Sequence, residues 1–178
     1  MQYFLMSQSK AVVEPLDIIG LDTNYYKSNL SRKDFEKIPN MMISYFSNKE
    51  DIEFPDILQR PTMLISNDLK KLFKLYDEEI EFKGVQLYSD NLREEKNITA
   101  CLYWTFMPTE CECLHKASEK YPMGTVKKLI LDKEKLIYKD IIKITGLLEN
   151  KIIISLPVAE SILRRNMYGI GLEEVEIR

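Results

Sequence analysis

Cys111-Glu112-Cys113-Leu114-His115 places two of the three cysteines and the only histidine of the chain within one short stretch. On an extended strand, positions 111, 113 and 115 share a face, which is the arrangement a metal ion or a Cys–His nucleophile needs. Zinc takes four protein ligands, or three and a water, and the sequence has no second Cys/His cluster to complete that shell. No neighbouring residue is placed to orient the histidine as a base. Reduced cysteines are among the most buried residue types. The expectation is therefore that Cys111, Cys113 and His115 are core or structural residues and that the protein holds no metal.

A second constellation is Pro55-Asp56 followed at a distance by Glu81-Phe82-Lys83. Its lettering is similar to that of the metal-dependent PD-(D/E)xK nucleases, in which two carboxylates hold magnesium and a lysine stabilises charge on the attacking water. In those enzymes the two motifs lie on neighbouring strands, whereas here a helix is expected between them. The plainer expectation is a strand with Glu81 and Lys83 outside and Phe82 inside. A nuclease or hydrolase built from Asp56, Glu81 and Lys83 stands as the alternative. Gly169-Ile170-Gly171 has the look of a phosphate turn, but Glu173 and Glu174 follow it, and a phosphate cradle needs a helix N-terminus without carboxylates beside it. A turn is expected there. The chain has neither a Gly-x-Ser-x-Gly elbow nor a Gly-Lys-Ser/Thr loop. With one histidine, imidazole acid–base chemistry has little to work with. The weight falls on binding, without a cofactor.

The densest acidic stretch is Asp77, Glu78, Glu79 and Glu81. It sits at the expected end of a helix, where carboxylates crowd the negative end of the dipole. A local cost without a local folding benefit marks these four residues as a candidate partner-binding patch. The overall charge is mildly acidic, with 25 basic and 28 acidic residues. That balance argues against a general nucleic-acid or membrane-surface binder. No run approaches the ~18 apolar residues of a membrane span. The N-terminus lacks the basic region of a signal peptide, and three cysteines do not suit a disulfide framework. The expected setting is the cytoplasm.

The elements that must position these residues are legible from Pro55 onward. The run Met63-Leu64-Ile65 suits a strand, and Ser66 stands where a helix N-cap belongs, ahead of Leu69, Leu72, Phe73 and Tyr76 at helical spacing. Strands are expected over 80–87, 100–107, 126–131, 141–144, 151–154 and 172–177. Ser155 is expected to cap a second helix, with Pro157 tolerated in its first turn. Residues 65–87 and 154–177 share one layout of strand, serine, helix and strand, with Phe82 matching Leu172, Val85 matching Val175 and Leu87 matching Ile177; this reads as an internal repeat. The fold class is α+β, a mixed, largely antiparallel sheet with two main helices. Residues 1–54 read as an irregular N-terminal part packed on a domain of residues 55–178, with short strands at 3–6 and 41–46 and a helix near 34–38 that Pro39 ends.

Several of these segments resemble a bacterial family, the eleventh immunity-protein family of polymorphic toxin systems. The likeness is carried by Pro55-Asp56-Ile57-Leu58, by Met63-Leu64-Ile65-Ser66 with Leu69 to Leu72, and by Glu81-Phe82 through Leu87. It continues through Tyr103 to Met107, Cys113-Leu114 and Ser118-Glu119, then Leu129 to Asp132 with Leu136, and Ile152 to Ser155 with Gly169 to Leu172. His115 stands where that family commonly has aspartate. The resemblance implies a cytosolic protein that neutralises a cognate toxin by sequestration rather than catalysis. A regulatory interaction domain with no toxin is the remaining alternative.

Overall fold

A computed structural model of the chain describes residues 1–47, 49–90 and 99–178. In chain order its elements are β1 (Tyr3–Gln8), β2 (Ile18–Ile19), α1 (Arg32–Lys37), β3 (Met41–Phe46), β4 (Ile57–Leu58), β5 (Leu64–Ser66), α2 (Asn67–Tyr76), β6 (Glu81–Ser89) and β7 (Ala100–Met107). They continue as β8 (Thr109–Cys111), β9 (Glu119–Lys120), β10 (Val126–Lys128), β11 (Ile130–Leu131), β12 (Ile141–Ile144), β13 (Lys151–Ser155), α3 (Leu156–Arg164), β14 (Ile170–Glu174) and β15 (Glu176–Ile177). The fold is α+β with mixed, largely antiparallel pairing. The strands divide into two main sheets rather than one, ordered β2-β3-β6-β7-β5-β4 and β14-β1-β13-β12-β8.

The repeat is present in three dimensions and is longer than the sequence implied. Each copy begins with a hairpin, β4–β5 in one and β12–β13 in the other, in which Ile57 opposes Ile65 and Ile141 opposes Ile154. A helix and a further strand follow in both. In each sheet one antiparallel strand separates the strand before the helix from the strand after it: β7 lies between β5 and β6, and β1 lies between β13 and β14. Hence the N-terminal part is no appendage. Its first strand is an inner strand of the second sheet, paired on both edges. The short apolar patch that made residues 3–6 look like a strand carries no record of which strands will flank it.

Both helices form for local reasons. The Ser66 hydroxyl accepts from the Leu69 N–H at 3.2 Å, and Leu69, Leu72 and Phe73 bury one stripe of α2. In α3, Val158, Ala159 and Ile162 are buried. Ser155 makes no side-chain capping bond, contrary to expectation. Its hydroxyl donates instead to Asp140 at 2.5 Å, and Pro157 has no N–H to offer it. At the end of α3, Gly169 has φ +76° and lies so close to Pro55 that a Cβ would come within 2.4 Å of the proline Cβ. Only glycine fits both demands.

The two helices lie side by side, the Tyr76 hydroxyl 2.6 Å from that of Ser161, over a core shared by both sheets. Ile57, Ile65, Phe106, Ile141, Ile152 and Ile154 meet Leu69, Phe73, Val158 and Ile162 there. The far face of each sheet has its own core. Residues 16–38 cover the first around Phe35, Val85 and Tyr103, and residues 111–136 cover the second around Cys113, Leu131 and Ile153. Two expected strands are broken: residues 126–131 divide into β10 and β11, and residues 172–177 divide at Val175.

Candidate protein-binding surface

The residues of the nuclease reading are not brought together. Asp56 lies at the start of β4, where its carboxylate accepts from the Ser66 hydroxyl and, at 2.6 Å, from the Tyr168 N–H. The backbone doubles the link, with Asp56 N–H donating to the Tyr168 carbonyl at 2.7 Å and Ser66 N–H to the Asp56 carbonyl at 2.9 Å. Asp56 is thus a latch between the two repeats. Asp140 and Ser155 make the same pair of serine-to-aspartate bonds in the second copy. Burial pushes the Asp56 carboxyl above its ordinary range; the Ser66 bond opposes that and nearby Asp68 adds to it. Register places Asp56 level with Val85, three strands from β6. Glu81 is therefore about 14 Å away across the sheet and about 13 Å along it. Glu81 pairs with Arg32 at 2.8 Å.

Lys83 is not exposed as the sequence suggested, but turned into the protein. It is buried, and its ammonium donates to the carbonyls of Glu36, at 3.0 Å, and Ile38, at the C-terminal end of α1. Lys143 repeats the device from the second sheet, donating to the Leu30 carbonyl and pairing with Glu110 at 3.2 Å. The alternation of β6 correctly sends Lys83 away from Phe82. The face it reaches is covered by residues 16–38, so an outward-facing lysine becomes an anchor.

Cys111 and Cys113 are buried in the second outer core. The Cys111 thiol donates to the Lys135 carbonyl at 3.3 Å, and burial pushes the Cys113 thiol up to about 12. His115 Nδ1 accepts from the Ala117 N–H at 3.1 Å, fixing a turn. Among the described residues no group of three or more His, Cys, Asp or Glu side chains is arranged to hold a metal ion. A cleft of about 1080 Å³ runs between the tips of the two hairpins and the N-terminal part. Two of its lysines are already paired, Lys49 with Asp17 at 3.8 Å and Lys151 with Glu149 at 3.1 Å.

The acidic stretch has a structural use. Lys139 pairs with Glu79 and lies 3.8 Å from Asp77, while the Asp77 carboxylate accepts from the Glu79 N–H at 3.0 Å. Hydrogen bonding to Lys139 holds the Glu79 carboxyl below its usual range. Lys139 immediately precedes Asp140, so this cluster ties the end of α2 to the second repeat as Asp56 ties the end of α3 to the first. The absence of a folding benefit, which singled out Asp77, Glu78, Glu79 and Glu81, does not hold. Glu78 alone of the four has no ion pair among the described residues.

A surface the sequence reading passed over is better placed to meet a partner. On the α2 side of the first sheet, Met41, Gly84 and Trp104 form one cross-strand row, Ile43, Gln86 and Leu102 the next, and Tyr45, Tyr88 and Ala100 a third, with Ile19 beside Tyr45. None is charged, in a chain whose residues are 30% charged. Ile43 is 63% exposed, Met41 50%, Ile19 44% and Tyr45 43%. The available signal was the run from Ile38 to Ser47, which contains no charged residue and alternates apolar side chains onto both faces of β3. No family model matches the chain, and no curated protein matches it.

Proposed function

We propose that this chain is a cytosolic immunity protein, which binds a cognate toxin and neutralises it without catalysis. The observation that carries the reading is the uncharged face of β2, β3, β6 and β7. Four large apolar side chains, Ile19, Met41, Ile43 and Tyr45, stand in water there on adjacent strands. Contiguous apolar surface of this kind has a desolvation benefit that only a partner realises, and alternation would otherwise put polar residues on a solvated face. The motif resemblance to polymorphic-toxin immunity proteins supplies the kind of partner. Among the described residues no helix is long and apolar enough to cross a membrane. An inhibitor that works by occlusion needs a complementary surface and no reactive group, which suits a chain whose Asp56, Lys83, Cys111 and Cys113 are engaged in structure.

The test is co-expression with the toxin encoded beside it in a sensitive host. Wild type should restore growth and co-purify with the toxin. A Met41→Asp, Ile43→Asp variant with unchanged circular dichroism should protect poorly. Failure of wild-type protein to protect or to bind would refute the immunity reading.

A further inference from the structure

The open face has the dimensions and charge border of a missing helix. Helix α2 packs on β5 and β7, and α3 lies against one of its flanks. Packed helices stand about 8–10 Å apart, which is about two strand spacings of 4.7–4.9 Å. The next helical position on this sheet is therefore over β6 and β3, where the uncharged rows are. From Met41 to Tyr45 these rows run about 13 Å, two to three helical turns, and two strands give about 10 Å of width, one helix diameter. That footprint is far below the roughly 800 Å² per partner of a stable globular interface. A second copy laid on this face alone would be held weakly.

The flank of the slot along α2 carries two lysines. Lys70 and Lys74 lie on the α2 flank away from α3. Lys70 Nζ sits 2.9 Å from the centroid of the Trp104 ring and 5.5 Å from that of Phe82, and Lys74 Nζ sits 5.8 Å from that of Phe82. Neither has an ion pair among the described residues. Burial, with Lys74 nearby, lowers the proton affinity of Lys70, so an anion beside it would relieve an existing cost. Four residues apart on a helix, the two lysines spring from positions about 6 Å apart along its axis. Carboxylates at i and i+4 of a neighbouring helix have the same spacing.

We infer that the face of β3 and β6 receives an amphipathic helix of another protein, apolar toward Met41 and Ile43 and acidic along the flank that meets Lys70 and Lys74. The inserted helix completes the layer begun by α3 and α2, and the mode is helix-in-groove recognition. This rests on the immunity reading only in assigning the helix to the toxin; the docking chemistry is independent of it. Trp104, the only tryptophan in the chain, is in the first row of the slot with Lys70 over its ring and reports occupancy.

Two helical peptides of about 14 residues decide the matter, one with a Leu/Ile stripe flanked by Glu at i and i+4, the other identical but with Lys in place of Glu. The Glu peptide should bind at least about tenfold more tightly at low salt and change Trp104 emission. Binding should be lost in Ile43→Asp, and a Lys70→Glu, Lys74→Glu variant should prefer the Lys peptide. Ile43 and Lys74 are exposed and Lys70 is half-buried against Trp104, so the fold of each variant is checked by circular dichroism; should Ile43→Asp fail to fold, the lysine variant still decides. Equal affinity for the two peptides, or no response of Trp104 to either, overturns the inference. If neither peptide binds but the toxin does, the helix assignment falls and the immunity reading stands; the reverse result removes the toxin and leaves the slot.

Discussion

Asp56 shows how a residue with the lettering of a metal ligand becomes a structural one. Its two oxygens serve the Ser66 hydroxyl and the Tyr168 N–H, so its loss leaves two donors without an acceptor. Asp56→Ala should cost about 1–3 kcal/mol in urea denaturation; a variant as stable as wild type would show that the latch carries no load. The pH dependence follows from the raised carboxyl pKa, whose largest cause is burial. The folded state holds this proton more tightly than the unfolded chain. The ionised group therefore costs stability, fully so above the folded pKa, and the cost fades as pH falls toward the unfolded value of about 3.9. Asp56→Asn removes the titration, so its stability relative to wild type should improve as pH rises through that window. A constant difference across the window would exclude Asp56 as the titrating group.

At the scale of elements, the two copies of the repeat are joined through their turns. The α3–β14 turn meets Asp56, and the α2–β6 turn meets Lys139. The N-terminal part is held to both sheets by buried lysines, of which Lys83 is the clearest because both its carbonyl partners belong to the end of α1. Removing an amine that satisfies buried acceptors strands them in a low-dielectric setting. Lys83→Met should destabilise by about 1–3 kcal/mol, whereas Lys71→Met, which breaks only an exposed pair with Asp68, should change stability by less than about 0.5 kcal/mol. Thermal melts of the two variants side by side test this. Equal melting temperatures would mean that Lys83 is dispensable to the docking of α1.

For the whole molecule, β1 is the decisive strand. Phe4 opposes Ile154 on one side and Glu174 on the other, and Tyr3 is fully buried, its hydroxyl donating to the Lys139 carbonyl at 2.8 Å. Deleting Met1–Gln8 opens two strand edges at once and removes side chains from two cores. The truncated chain should lose cooperative unfolding and aggregate through the exposed edges of β13 and β14. A truncated protein that melts cooperatively at the wild-type temperature would contradict this. The result would also separate a domain beginning near residue 55 from one that needs its N-terminus.

The sequence by itself determined the elements and their inward stripes. Leu69, Leu72 and Phe73 at helical spacing, Ser66 as a cap, and the alternation of Phe82 with Lys83 are local signals, and α2 and β6 follow them. The repeat was legible for the same reason, because each copy writes its own strand, serine and helix. Everything that joins distant segments was decided by tertiary structure. An apolar stripe states that a face will be covered but not by what, so β1 as an inner strand, Lys83 beneath α1 and Lys139 beside Asp77 and Glu79 left no local trace. Carboxylates that looked costly at a helix end found their cation about sixty residues on, since ion pairs are set by where chains pack rather than by spacing. The open face of β3 belongs to the same class. Met41, Ile43 and Tyr45 read as an ordinary strand, and only the position of α2, which packs mainly on β5 and β7 and reaches no farther than Phe82 of β6 with its lysines, leaves them in water.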